Sequence, residues 1–83
     1  MKNNNYEYEF IQLGNIIRHL RLENGITQEH LSSLCDVDVR TIQRIEKGKQ
    51  NLSLSLLFSI SNSLNIKPET LINKIFENIE NKK

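Results

Sequence analysis

Two arginines four residues apart, Arg40 and Arg44, are the side chains of this sequence best suited to recognition chemistry. A guanidinium holds its donors in a rigid planar fork. It can bond two acceptors at once, such as the O6/N7 edge of a guanine or two phosphate oxygens. Neighbouring residues widen the repertoire: Thr41 adds a hydroxyl, Gln43 an amide that donates and accepts, and Lys47 and Lys49 two ammonium groups. Within residues 40–49 these four cations stand against the single acid Glu46. That stretch therefore carries three net positive charges, while the whole 83-residue chain carries +1. A positive field confined to one element suits a local surface for a polyanion better than it suits a generally basic protein.

Other chemistries find little support. No nucleophile, base and orienting group form a set, and no Gly-rich phosphate loop follows a strand, so the chain is not expected to be an enzyme. His19 and His30 stand outside any cluster with metal-ligand spacing, so neither metal nor cofactor is expected. The single Cys35 excludes an internal disulfide and reads as a small buried hydrophobe. No apolar run approaches the roughly 20 residues of a membrane helix, and the polar start lacks the apolar core of a signal peptide. A cytoplasmic location is expected.

The basic side chains need a rigid element to present them. A helix from Val39 to Lys47, turning about 100° per residue, places Val39, Ile42, Ile45 and Glu46 on one side. Arg40, Gln43, Arg44 and Lys47 fall on the other. On the outward face Arg40, Thr41 and Arg44 are best placed for base edges, whereas Gln43 and Lys47 are suited to phosphates. Asp38 caps the start of this helix and Gly48 ends it. A shorter helix precedes it, capped by Thr27, with Leu31 and Leu34 inward, Cys35 at its end and Asp36 in a left-handed turn. Two short helices joined by such a turn, the second basic on its outer face, have the geometry that lays a recognition helix in the major groove.

The flanking segments supply the support. Phe10, Leu13, Ile17 and Leu20 mark one face of a first helix, with Arg21 continuing that stripe and Asn24-Gly25 ending it. Residues 1–9, with Tyr6 and Tyr8 among Asn and Glu, are expected to form a frayed arm. Residues 52–61 alternate Leu52, Leu54, Leu56, Phe58 and Ile60 with serines, which imitates a strand. The helical alternative, with Ser53 as cap and Leu54, Leu57, Ile60 and Leu64 inward, agrees with the neighbouring elements and is preferred. Pro68 opens a last helix, residues 67–83, with a broad apolar side. The expectation is an all-α bundle of five helices, with residues 10–66 as the DNA-binding unit. Ile72, Ile75, Phe76 and Ile79 of the last helix are expected at a dimer interface, because so small a chain has little else with which to cover them.

Residues 13–66 resemble the Cro/CI-type, XRE-like helix-turn-helix family of phage repressors and small bacterial regulators. The resemblance is carried by Leu13-Gly14, Ile17-Arg18 and Leu20-Arg21, then by Gly25-Ile26-Thr27-Gln28-Glu29-His30-Leu31. It continues through Val37, Thr41-Ile42, Ile45-Glu46-Lys47-Gly48, Leu57, Ile60, Leu64 and Ile66. It implies a phosphate contact for Gln28, base contacts for Val39, Arg40, Thr41 and Arg44, and a backbone-tracking loop at Lys49-Gln50-Asn51. It also implies a structural ion pair between Arg21 and Glu46, the two charges that the helical pattern puts on buried faces. Ser32 and Cys35 replace the family's frequent Ala, Asp36 its Gly and Asp38 its Ser. Each is small, or competent in a turn or cap.

The implied partner is double-stranded DNA, bound by a homodimer on a palindromic operator, and promoter occupancy by a repressor is the simplest output. Within the same class, Asn51-Leu52-Ser53-Leu54 looks like the corresponding loop of restriction–modification controller proteins. A rival of another class is an antitoxin-like module whose main partner is a second protein. A co-transcribed gene of either system would discriminate.

Overall fold

Three helix starts fall at capping oxygens, and four helix ends at residues that turn left-handed. The computed structural model describes residues 6–81, and the side chains of residues 6–77. It contains α1 (Glu7–Glu23), α2 (Gln28–Cys35), α3 (Val39–Glu46), α4 (Leu54–Ser63) and α5 (Pro68–Asn81), with no strand among the described residues. Thr27 Oγ1 accepts from the His30 amide at 3.0 Å, Asp38 Oδ1 from the Arg40 amide at 3.0 Å, and Ser53 Oγ from the Leu56 amide at 3.1 Å. Each bond satisfies a donor that the first helical turn leaves unpaired. At the other ends, Gly25, Asp36, Gly48 and Asn65 take φ of 69°, 57°, 75° and 58°. The amide after each reaches back five residues: Ile26 to Arg21, Val37 to Ser32, Lys49 to Arg44 and Ile66 to Ser61, at 2.9–3.2 Å. Four helices thus close with the same Schellman bond pattern.

Each helix contributes one side chain with no exposed surface to a single core: Ile17, Leu31, Ile42, Ile60 and Leu71. Helix α1 packs on α3 and α5, α2 on α3 and α4, and α4 on α5. Cys35 is a free thiol at the core edge, with Sγ 3.7 Å from Ser63 Oγ. Burial pushes its pKa up, with the Ser63 hydrogen bond pulling the other way, so the thiol stays neutral and acts as a small apolar filler. No described helix is long and apolar enough to cross a membrane.

Several sequence expectations change. Helix α1 starts at Glu7, so Glu7, Tyr8 and Glu9 are helical and not part of a frayed arm. The acids lie at the positive end of the helix dipole, and the Phe10 amide closes the first turn on the Tyr6 carbonyl at 3.1 Å. Residues 1–5 of the expected arm lie outside the described residues. Leu34 is 52% exposed, because the buried arc of α2 runs through Leu31, Ser32 and Cys35, where α3 and α4 meet it. Leu54 is 67% exposed, since the apolar face of α4 is covered only from Leu56 and Leu57 onward. Ile75 is buried with Leu71 in the intrachain core. Helix α5 is therefore integral to the bundle, and Ile75 is not available to a partner.

Helix α1 approaches the end of α3 unusually closely at Gly14. A Cβ there would collide with the backbone carbonyl of Ile45 and lie 3.0 Å from that of Glu46. An Ala normally gains about 1 kcal/mol over Gly inside a helix. Here neither helix backbone can yield without repacking, and overpacking of this kind costs about 1–3 kcal/mol or more. Gly14→Ala is expected to lower the denaturant midpoint. A raised midpoint would show that α1 and α3 are free to separate.

Candidate nucleic-acid interface

Helices α2 and α3, joined through Asp36-Val37-Asp38, form the two arms of a helix-turn-helix. Two features hold α3 against the bundle. Ile42 and Ile45 are buried on its inner face, and Glu46, in its last turn, is only 8% exposed.

Glu46 makes a bidentate pair with Arg21 of α1. Arg21 Nε donates to Oε2 at 2.7 Å and Nη2 to Oε1 at 3.1 Å, while Nη1 donates to the Ile26 carbonyl at 2.9 Å. A third donor reaches the carboxylate: Gln28 Nε2, at the start of α2, lies 3.0 Å from Oε1. The last turn of α1, the loop into α2, the start of α2 and the end of α3 therefore meet at one buried ion pair. Burying both charges is costly unless their remaining hydrogen-bonding capacity is met, and this geometry meets it. The bond from Gln28 is not apparent from sequence, where only a phosphate role is implied for that residue.

Outward from this anchor, Arg40, Gln43, Arg44, Lys47, Lys49 and Asn51 are exposed, and Gln28, Val39, Thr41 and Gln50 are half-buried. Lys47, Lys49, Gln50 and Asn51 share a shallow depression with the start of α1 at Glu7, Phe10 and Ile11. Arg44 is tied to the loop beyond α3: its Nε donates to Gln50 Oε1 at 3.0 Å, and its Nη2 to the Lys49 carbonyl at 3.4 Å. The chain reversal at Gly48 makes this contact possible, so linear spacing along a helix cannot reveal it. The arrangement presents a helix with a positive, amide-bearing face and a donor-rich loop beside it. It can bond base edges and phosphates and has no means of activating a nucleophile.

Comparison with known proteins agrees with this geometry. Residues 17–71 match the family model described as Helix-turn-helix. This chain belongs to the Cro/CI-type, XRE-like helix-turn-helix family. Its members are DNA-binding transcriptional regulators and not enzymes, and this helix-turn-helix protein is a regulator of that kind. It is 41% identical over 64 residues to an uncharacterized HTH-type transcriptional regulator of Archaeoglobus fulgidus, covering 77% of this chain and 89% of that one. It is 35% identical over 60 residues to the control protein C.BamHI of Bacillus amyloliquefaciens, covering 71% and 74%. Among solved structures, the restriction–modification controller protein C.AhdI of Aeromonas hydrophila superposes with a TM-score of 0.72 at 31% identity, covering 75% of this chain and 94% of that chain.

The ion pair of this helix-turn-helix protein makes a direct prediction. Glu46→Ala strands a buried guanidinium and releases Gln28, which should destabilise the fold by about 3–5 kcal/mol. The double change Arg21→Met with Glu46→Leu removes both charges and should be more stable than either single change. Urea unfolding of Glu46→Ala, of the two single changes and of the double change checks this. A Glu46→Ala variant as stable as the parent would mean that the pair is not buried in solution.

Proposed function

We propose that the protein represses transcription by binding a palindromic DNA operator as a two-fold homodimer. The single observation that carries this reading is the exposed basic face of α3 set rigidly on the buried Arg21–Glu46 pair. A B-DNA major groove about 12 Å wide admits one helix. Val39, Arg40, Thr41 and Arg44 meet base edges there, while Gln28, Gln43, Lys47, Lys49, Gln50 and Asn51 meet the phosphate backbone and set the register.

A dimer suits the dimensions. The described chain measures 37 × 26 × 19 Å, so two copies side by side place equivalent helices a few tens of ångströms apart. Half-sites one helical turn apart need ~34 Å. The surface we assign to the dimer is the apolar groove lined by Tyr6, Leu52, Leu54, Ile72 and Phe76, where Phe76 is 54% and Leu54 67% exposed. Ile72 and Phe76 are thus retained for the interface, Ile75 is not, and the side chain of Ile79 lies outside the described residues.

A second reading has specific support. The identities with C.BamHI and C.AhdI, both named as control or controller proteins, favour a role in controlling a restriction–modification system. The DNA-binding mode is the same in both readings. A reporter assay of the bound promoter, with and without the protein, separates repression from activation, and an adjacent endonuclease or methyltransferase gene supports the controller role.

Fluorescence anisotropy on duplexes selected by the protein tests the site. Arg44→Ala should weaken binding to the preferred site by about 1–3 kcal/mol and relax preference at one position per half-site. Lys49→Ala should weaken all sequences alike and reduce the salt slope by about one. Uniform weakening by Arg44→Ala would reassign that residue to the phosphates. For the dimer, Phe76→Glu should keep its helical circular dichroism, sediment as a monomer at micromolar concentration and lose affinity for the two-half-site duplex. A Phe76→Glu dimer would place the interface elsewhere.

A further inference from the structure

We propose that Gln50 is a positioning residue for base recognition: it fixes the Arg44 guanidinium so that only its end-on edge is offered to DNA. The inference rests on the reading of Arg44 as a base contact. An Arg side chain has two edges that can recognise paired acceptors. The side-on edge carries Nε–H and one Nη2 hydrogen, and the end-on edge carries Nη1 and the other Nη2 hydrogen. In this structure the side-on edge is occupied from within the chain, by Gln50 Oε1 on Nε at 3.0 Å and the Lys49 carbonyl on Nη2 at 3.4 Å. Nη1 has no acceptor among the described residues. Both clamping groups lie in the loop after Gly48, whose left-handed turn and Lys49–Arg44 backbone bond of 2.9 Å hold that loop against the end of α3.

Chemistry fixes the orientation of the Gln50 amide. A guanidinium only donates, so the amide must turn Oε1 to Arg44 and is left with Nε2 as an uncommitted donor. That donor suits a phosphate oxygen. One side chain then links backbone register to base readout: a phosphate held by Nε2 locates Oε1, and Oε1 locates the Arg44 fork. Ordering a long, rotamer-rich side chain before binding removes an entropic cost that would otherwise be met at the interface. It also removes the side-on pose through which Arg44 could accept alternative bases.

The test uses the full-length protein and its selected duplex, together with a set of single-base-pair variants of that duplex. Arg44→Ala first identifies the base pair whose substitution ceases to matter. Gln50→Met keeps the bulk of the side chain and removes both the acceptor and the donor. It is expected to lower discrimination at that base pair about fivefold, leave discrimination at the other pairs unchanged, and add nothing in combination with Arg44→Ala. Gln50→Glu keeps an acceptor for Nε and loses the phosphate donor. It is expected to retain discrimination while weakening binding to every duplex. Unchanged discrimination in Gln50→Met, or an equal loss at every base pair, overturns the inference while leaving the role of Arg44 intact. If Arg44→Ala alters preference at no base pair, the underlying reading of Arg44 fails, and the inference fails with it.

Discussion

The buried pair of Arg21 and Glu46 joins segments that are distant in sequence and must be adjacent for the recognition face to exist. Glu46 lies one turn beyond Ile42 on the inner side of α3, so any partner for it must come from the body of the bundle. Arg21 supplies that partner from α1 and bonds the Ile26 carbonyl at the same time, which fixes where α2 begins. Gln28 completes the carboxylate's hydrogen bonds from the first residue of α2. One carboxylate thus ties α2 to α3 beside the apolar core of Leu31, Ile42 and Ile45. The absence of a side chain at Gly14 lets the backbones of α1 and α3 come close enough for the pair to form.

With the inner side of α3 committed in this way, its outer side leaves Arg40, Gln43 and Arg44 exposed. The chain as a whole is nearly neutral, so attraction to DNA comes from a few side chains and not from a broad positive field. Sequence preference in such a protein depends on how accurately those few groups are held. The caps at Thr27 and Asp38, the clamp on Arg44 and the closure at Gly48 all constrain the positions of donors on or beside α3. None of them adds positive charge. Helix α5 contributes on the opposite account: Leu71 and Ile75 complete the core, while Phe76 stays 54% exposed among the described residues.

Much of this was legible in the residues. Hydroxyl and carboxylate caps at Thr27, Asp38 and Ser53 announce helix starts because they satisfy orphan amides locally, and Gly25, Asp36 and Gly48 announce ends because a left-handed residue is needed there. The division of α3 into an apolar and a basic side follows from helical period alone. What escaped depends on packing in three dimensions. Leu34 and Leu54 look inward by spacing, but the helices covering their neighbours do not extend over them. Spacing alone suggests a partner for Ile75, because no sequence pattern says that α5 folds back onto α1 and α4. The bonds from Gln28 to Glu46 and from Arg44 to Gln50 cross chain reversals, where the relation between number and position is set by the turn and not by a period.

The most direct measurement is selection of bound duplexes from a random DNA pool by the purified protein at near-physiological salt. If α3 is a recognition helix held rigidly on a two-fold dimer, the enriched sequences should be palindromic, with half-sites centred about one helical turn, ~34 Å, apart. A pool that shows no enrichment, or only uniform binding that disappears as salt is raised, would contradict sequence-specific recognition by this face.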